Sequence, residues 1–133
     1  MLYKIKYLII IVFLWHCKGP SEKAKTEWKS IEVTATAYNS IKNQTSDTPK
    51  IAAWGDSLES GMKCIAVSRD LLSLGIKHNT KVKISGLNGI YLVKDKMNKK
   101  WEKKIDIYMG EDIKLAKDWG SKKVTLTYEL SEE

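Results

Sequence analysis

The sequence predicts a mainly β fold closed into a small barrel. Three observations carry this. Apolar residues alternate with period two, not 3.6, along Ile31–Tyr38 and again from Val124 to Leu130. Turn-forming Gly, Asn, Asp and Ser residues punctuate the chain between short apolar stretches. The tally is about six strands with two small helices, and strands that short bury one face well only in a closed or stacked sheet. The 133 residues suffice for one domain around one core. A content of 43% hydrophobic and 29% charged residues is that of a chain most of which folds.

Lys4 and Lys6 open the chain ahead of an apolar run from Tyr7 to Trp15. The run is too short for an ordinary transmembrane helix and suits the core of an export signal. Cys17 follows, then the polar stretch Lys18-Gly19-Pro20-Ser21-Glu22-Lys23. This order resembles a bacterial lipoprotein signal, in which Cys17 would be lipidated and become the first mature residue. Trp15-His16 stand where such signals carry small residues, so an uncleaved signal anchor or an unlipidated cysteine is the other reading. All of these imply export, and the expected form is an envelope protein tethered to a membrane by a lipid or a helix. The expected organisation is an export segment over 1–17, a polar tether over 18–30 and a barrel domain over 31–133. With Cys17 lipidated only Cys64 remains, which excludes an intrachain disulfide. Cys64 lies in an apolar strand and reads as a small core residue.

Ile31–Tyr38 is the first strand. Residues 39–61 are rich in Ser, Thr, Asn, Asp and Gly and read mostly as loop, a length that points to function or to short hidden elements. Lys63–Val67 is the second strand. Ser68–Leu74 reads as one or two helical turns, with Ser68 as N-cap and Gly75 as the stop. Lys81–Ile84 and Ile90–Val93 flank Gly86-Leu87-Asn88-Gly89 as a hairpin. Ile105–Tyr108 is a further strand. Gly110-Glu111-Asp112 opens a helix that places Ile113, Ala116 and Trp119 near one face, with Gly120 at its end.

The segments Thr34-Ala35-Thr36-Ala37-Tyr38, Ile65-Ala66-Val67, Leu74-Gly75, Thr80-Lys81-Val82, Asp95, Ile105-Asp106-Ile107-Tyr108 and Ala116-Lys117-Asp118-Trp119-Gly120 occur in the order seen in the three-aspartate ("3D") domain. The chain resembles that family over about residues 33–130. The resemblance implies a six-stranded double-psi β-barrel with one or two short helices, related to the C-terminal part of membrane-bound lytic transglycosylase A and to rare-lipoprotein-A-like barrels. Asp95 and Asp106 match the second and third family acids. Ser68 stands at the position of the first, with Asp70 two residues on. Relatives with known chemistry carry a Gly-rich run after the second acid; here it is Lys96-Met97-Asn98-Lys99-Lys100-Trp101.

The two aspartates also stand out without the resemblance. Each ends or interrupts an apolar stretch, where a charge is costly to bury without partners or a purpose. The resemblance implies cleavage of peptidoglycan glycan strands, with Asp106 as acid/base and Asp95 in support. The alternative is a non-catalytic peptidoglycan-binding or accessory lipoprotein on the same barrel, with both acids in structural hydrogen bonds. Tyr38, Trp54 and Trp101 lie at or beside loops and are the expected sugar-binding aromatics, or else caps on a small core. The lysines around Asp95 and Trp101 face acidic peptide stems or lipid headgroups, or form a solvated face.

The formal charge of +7 suits an anionic partner. No nucleic-acid-binding motif accompanies it. No zinc spacing, EF-hand or phosphate loop is present, so neither metal nor cofactor is expected. The mature chain has one histidine, His78, which leaves nucleophilic triads without support. Nothing in the sequence fixes an oligomeric state.

Overall fold

Strict alternation sets the strands, and their inward residues set the barrel. The computed structural model describes residues 25–40 and 51–131. The expected export segment and Cys17 lie outside the described residues. The strands are β1 Glu27–Tyr38, β2 Cys64–Val67, β3 Lys81–Ile84, β4 Tyr91–Lys96, β5 Lys104–Tyr108 and β6 Lys122–Leu130. A 3₁₀ helix spans Arg69–Leu74, and an α-helix, α1, spans Ile113–Trp119. The strands close in the order β1-β5-β2-β4-β3-β6. The β1–β5 and β2–β4 pairs are parallel and every other pair is antiparallel. The fold is the closed, mainly β six-stranded barrel expected, with two short helices.

Each strand sends alternate residues inward. Val33 and Ala35, Ile65 and Val67, Val82 and Ile84, Val93, Ile105 and Ile107, and Val124 and Leu126 form one buried cluster. Leu71 and Ile76 join it from the 3₁₀ helix and the turn beyond. A smaller cluster of Ala52, Leu58, Cys64 and Tyr108, with Tyr38 and Met62 against it, lies on the other face of β2 and β5. Part of the long loop therefore packs on the outside of the barrel. Cys64 is buried there, and its thiol is pushed up to about 11, chiefly by burial and then by Asp95. A thiol held protonated is inert.

Several element ends and caps differ from expectation. β1 begins at Glu27, inside the stretch expected as tether, because residues 27–33 pair with β6 from Glu27↔Leu130 to Val33↔Val124. Polar contacts hold this ribbon where apolar alternation is missing. Ser30 Oγ and Thr127 Oγ1 are 2.8 Å apart, and Lys83 Nζ sits 4.8 Å over the Trp28 ring. β4 runs on through Asp95 and Lys96. Ser68 makes no cap bond; its Oγ accepts the Lys104 N–H at 3.0 Å instead. Asp112 caps α1, accepting the Leu115 N–H at 2.9 Å. Ile113, Ala116 and Trp119 share a half-buried face as expected, and Trp119 Nε1 donates to the Ala35 carbonyl at 3.3 Å.

Candidate functional site

Four adjacent strands bring the two aspartates together. Thr36 of β1 pairs with Asp106 of β5, Asp106 with Ala66 of β2, and Ala66 with Asp95 of β4. Ile105 and Ile107 take the inward positions, so Asp106 faces outward. Asp95, two residues after the inward Val93, shares that outer face only because of an irregularity in β4. The register of β2 against β4 slips at this point. Ile65 pairs with Val93 but Ala66 pairs with Asp95, leaving Lys94 as the extra residue of a β-bulge. Without the slip Lys94 would stand beside Ala66. The residue between the carboxylates is Ala66, whose methyl leaves the space above it open.

That space is a cleft of about 270 Å³, lined by Tyr38, Ala66, Asp95, Asp106, Met97 and Trp101 among others. Asp106 Oδ1 accepts the Thr36 hydroxyl at 3.0 Å, its single hydrogen bond among the described residues. Burial, with a smaller push from the Asp95 charge, raises its carboxyl above the ordinary aspartate value; the Thr36 bond and Lys104 only partly offset this. Asp95 is held differently. Its Oδ1 accepts the backbone N–H groups of Ala53 at 2.7 Å and Lys96 at 2.9 Å. Burial, then the Asp95 charge, pushes the Tyr38 phenol far above its usual range and keeps it protonated. Its hydroxyl is buried and has no hydrogen-bond partner among the described residues.

The expected residues divide accordingly. Tyr38, Asp95, Trp101 and Asp106 share the cleft. Trp101 stands at its edge, 39% exposed, with Lys104 Nζ 3.5 Å and Lys100 Nζ 5.0 Å from its ring centre. Trp54 is outside the cleft lining. Its ring stacks on His78 at 5.0 Å and carries Lys96 Nζ at 4.9 Å, so these neighbours occupy it. His78 Nε2 pairs with Asp56 Oδ2, and Lys94 Nζ donates to Asp56 Oδ1 at 3.1 Å and to Asn79 Oδ1 at 2.6 Å. The bulged Lys94 and His78 thus tie the 51–58 segment to the barrel. The Lys94 hydrogen bond is the main reason the Asp56 carboxyl is held below its ordinary value.

Thr36 and Ala66 were missed by sequence reasoning. Thr36 had a signal, since it lies two residues before Tyr38 on the same strand face. Ala66 had none, because its importance is the absence of a side chain between two strands distant in sequence. Asp70 is not in the cleft lining. Burial alone would raise its carboxyl, but hydrogen bonds from the Ser68 side chain and the Lys103 N–H outweigh it and leave it lowered. A larger hollow of about 520 Å³ lies between the 77–80 turn and the ends of β1 and β6. Its one carboxylate, Glu129, is engaged by Lys81 at 3.5 Å, so it lacks a pair of acids. Among the described residues no three His, Cys, Asp or Glu side chains converge as a metal site requires. No model of a known protein family matches this chain, and no curated protein matches it.

Proposed function

We propose that this protein acts on the glycan strands of peptidoglycan, cleaving the glycosidic bond in the manner of a lytic transglycosylase, as an exported and membrane-tethered envelope protein. The observation that carries the reading is the state of Asp106. It is a largely buried carboxyl with a raised affinity for its proton, one hydrogen bond, and an open cleft beside it. A carboxyl that holds its proton more tightly than an ordinary aspartate is better suited to give that proton to a glycosidic oxygen.

In this scheme the protonated Asp106 donates to the bridging oxygen as the bond from the sugar's anomeric carbon to that oxygen breaks. The carboxylate then takes the proton of the same sugar's hydroxymethyl group, whose oxygen closes onto the anomeric carbon. The products are an anhydro sugar end and a free hydroxyl, with no water consumed and Asp106 reprotonated. Thr36 orients the carboxyl through Oδ1. Asp95, fixed by two backbone amides, supplies a stationary negative charge that helps hold the Asp106 proton and stabilises positive charge developing on the sugar ring.

A second reading has its own observation. Asp95 is tied to the amides of Ala53 and Lys96, as a purely structural acid would be. In that reading the cleft binds glycan without cutting it. Incubating the purified full-length chain with peptidoglycan separates the two. Soluble products with anhydro ends that disappear with Asp106→Asn support cleavage. Retention on insoluble wall without product release at any pH leaves only the binding reading.

A further inference from the structure

Five lysines, Lys96, Lys99, Lys100, Lys103 and Lys104, lie with a single acid, Glu102, on the segment joining β4 to β5, whose Lys96, Met97, Asn98 and Trp101 line the cleft. Among the described residues none of the five forms a salt bridge to a carboxylate. Their backbone is fixed. Arg69 Nε donates to the Met97 carbonyl at 3.1 Å, and the Met97 N–H donates to Val67 at 2.9 Å. At the other end Asp70 Oδ2 accepts the Lys103 N–H at 2.9 Å, and Ser68 Oγ accepts that of Lys104. Lys103 has a φ of 43°, a left-handed conformation that lysine adopts rarely and that surrounding bonds must hold. Asn98 closes the tip, its Oδ1 accepting the Lys100 N–H at 3.1 Å and its carbonyl that of Trp101 at 3.1 Å. A solvated charge run needs no such clamp. A loop that presents cations without carboxylate partners from a fixed backbone loses less freedom when an anion binds.

We infer that this loop is a binding site for the carboxylates of the peptide stems on a peptidoglycan strand. The acidic floor then takes the sugars and the lysine rim takes their anionic branches. This rests on the reading of the cleft as a glycan site. The placement favours a branched strand over a lipid surface. Lys96 and Lys104 hold their ammonium groups over Trp54 and Trp101 beside a concavity of about 270 Å³, which a planar headgroup layer cannot enter.

The test measures binding of the full chain in detergent to intact sacculi and to sacculi whose carboxyl groups have been converted to methylamides. The variant is Lys99→Gln/Lys100→Gln/Lys103→Gln. Three exposed ion pairs together supply about tenfold in affinity, so the variant should bind intact sacculi about tenfold more weakly than wild type. Amidation should weaken wild type by at least as much and the variant by clearly less, since the variant has already lost the contacts of three lysines and keeps only those of Lys96 and Lys104. Rising salt should erase the difference. Equal binding of wild type to intact and amidated sacculi overturns the inference, and needs no variant to be read. So does a lysine dependence that appears on phosphatidylglycerol vesicles instead of sacculi. A wild type that binds neither form of sacculus sinks the glycan reading itself. Binding that depends on lysines and carboxyls without anhydro product sinks only the catalytic part.

Discussion

At the residue scale the site is an imbalance between two carboxyls of one chemical kind. Asp95 has two backbone donors, whereas Asp106 has one hydroxyl and substantial burial. Asp106→Asn keeps the shape and removes the titrating proton. Turnover should fall by about a hundredfold to ten-thousandfold if that carboxyl is the acid/base. The same substitution tests the raised proton affinity through stability alone. The folded state holds the Asp106 proton more tightly than the unfolded chain does. Its contribution is therefore fully present below the unfolded aspartate value and is lost as pH rises through the folded value. The melting temperature of Asp106→Asn relative to wild type should rise with pH across that window. A difference that is flat with pH, or falls, shows that the carboxyl is not raised. Trp101, at the cleft edge, gives a complementary expectation. Trp101→Ala should weaken retention on insoluble wall while moving thermal stability far less than the 3–5 kcal/mol typical of a buried aromatic.

At the element scale two devices build the cleft, a β-bulge in β4 and the clamp from the 3₁₀ helix onto the lysine loop. The bulge places Asp95 opposite Ala66, and Ala66 keeps the gap open. Ala66→Leu should block glycan binding by filling the space while the barrel still folds, since the side chain projects outward. Circular dichroism and wall retention check the two halves. The clamp gives Asp70 a structural role. Its carboxyl is lowered, so its stabilising contribution is present above the unfolded aspartate value and lost as pH falls through the folded one. Asp70→Asn should therefore destabilise at neutral pH and converge on wild type in acid, as read by melting temperature against pH. These elements also mark the limit of the sequence. The turn at Gly75 and the face of Ile113, Ala116 and Trp119 were legible because their causes are local. The Lys94 bulge was not, because its cause is the register of β4 against β2, about thirty residues away in the chain.

At the scale of the whole molecule the barrel unites distant segments, so its core is cooperative. Ile65 is fully buried on β2, between β4 and β5. Ile65→Ala should cost about 2–5 kcal/mol and lower the midpoint of a single unfolding transition. A two-step transition would mean that the β1–β6 ribbon unfolds separately. Alternation in the sequence sufficed for the class of fold, because a strand's inward residues are set by its own period of two. Val33 and Ala35, or Ile105 and Ile107, carry that information wherever the strand is placed. It also sufficed to single out Asp95 and Asp106, because an acid within an apolar stretch is costly wherever it lies. Only the tertiary structure decided that Ala66 separates them, that Thr36 holds one, that two amides hold the other, and that Trp54 lies against His78 instead of lining the cleft. Those are neighbour relations across closed strands, and closure depends on register, which no single segment encodes.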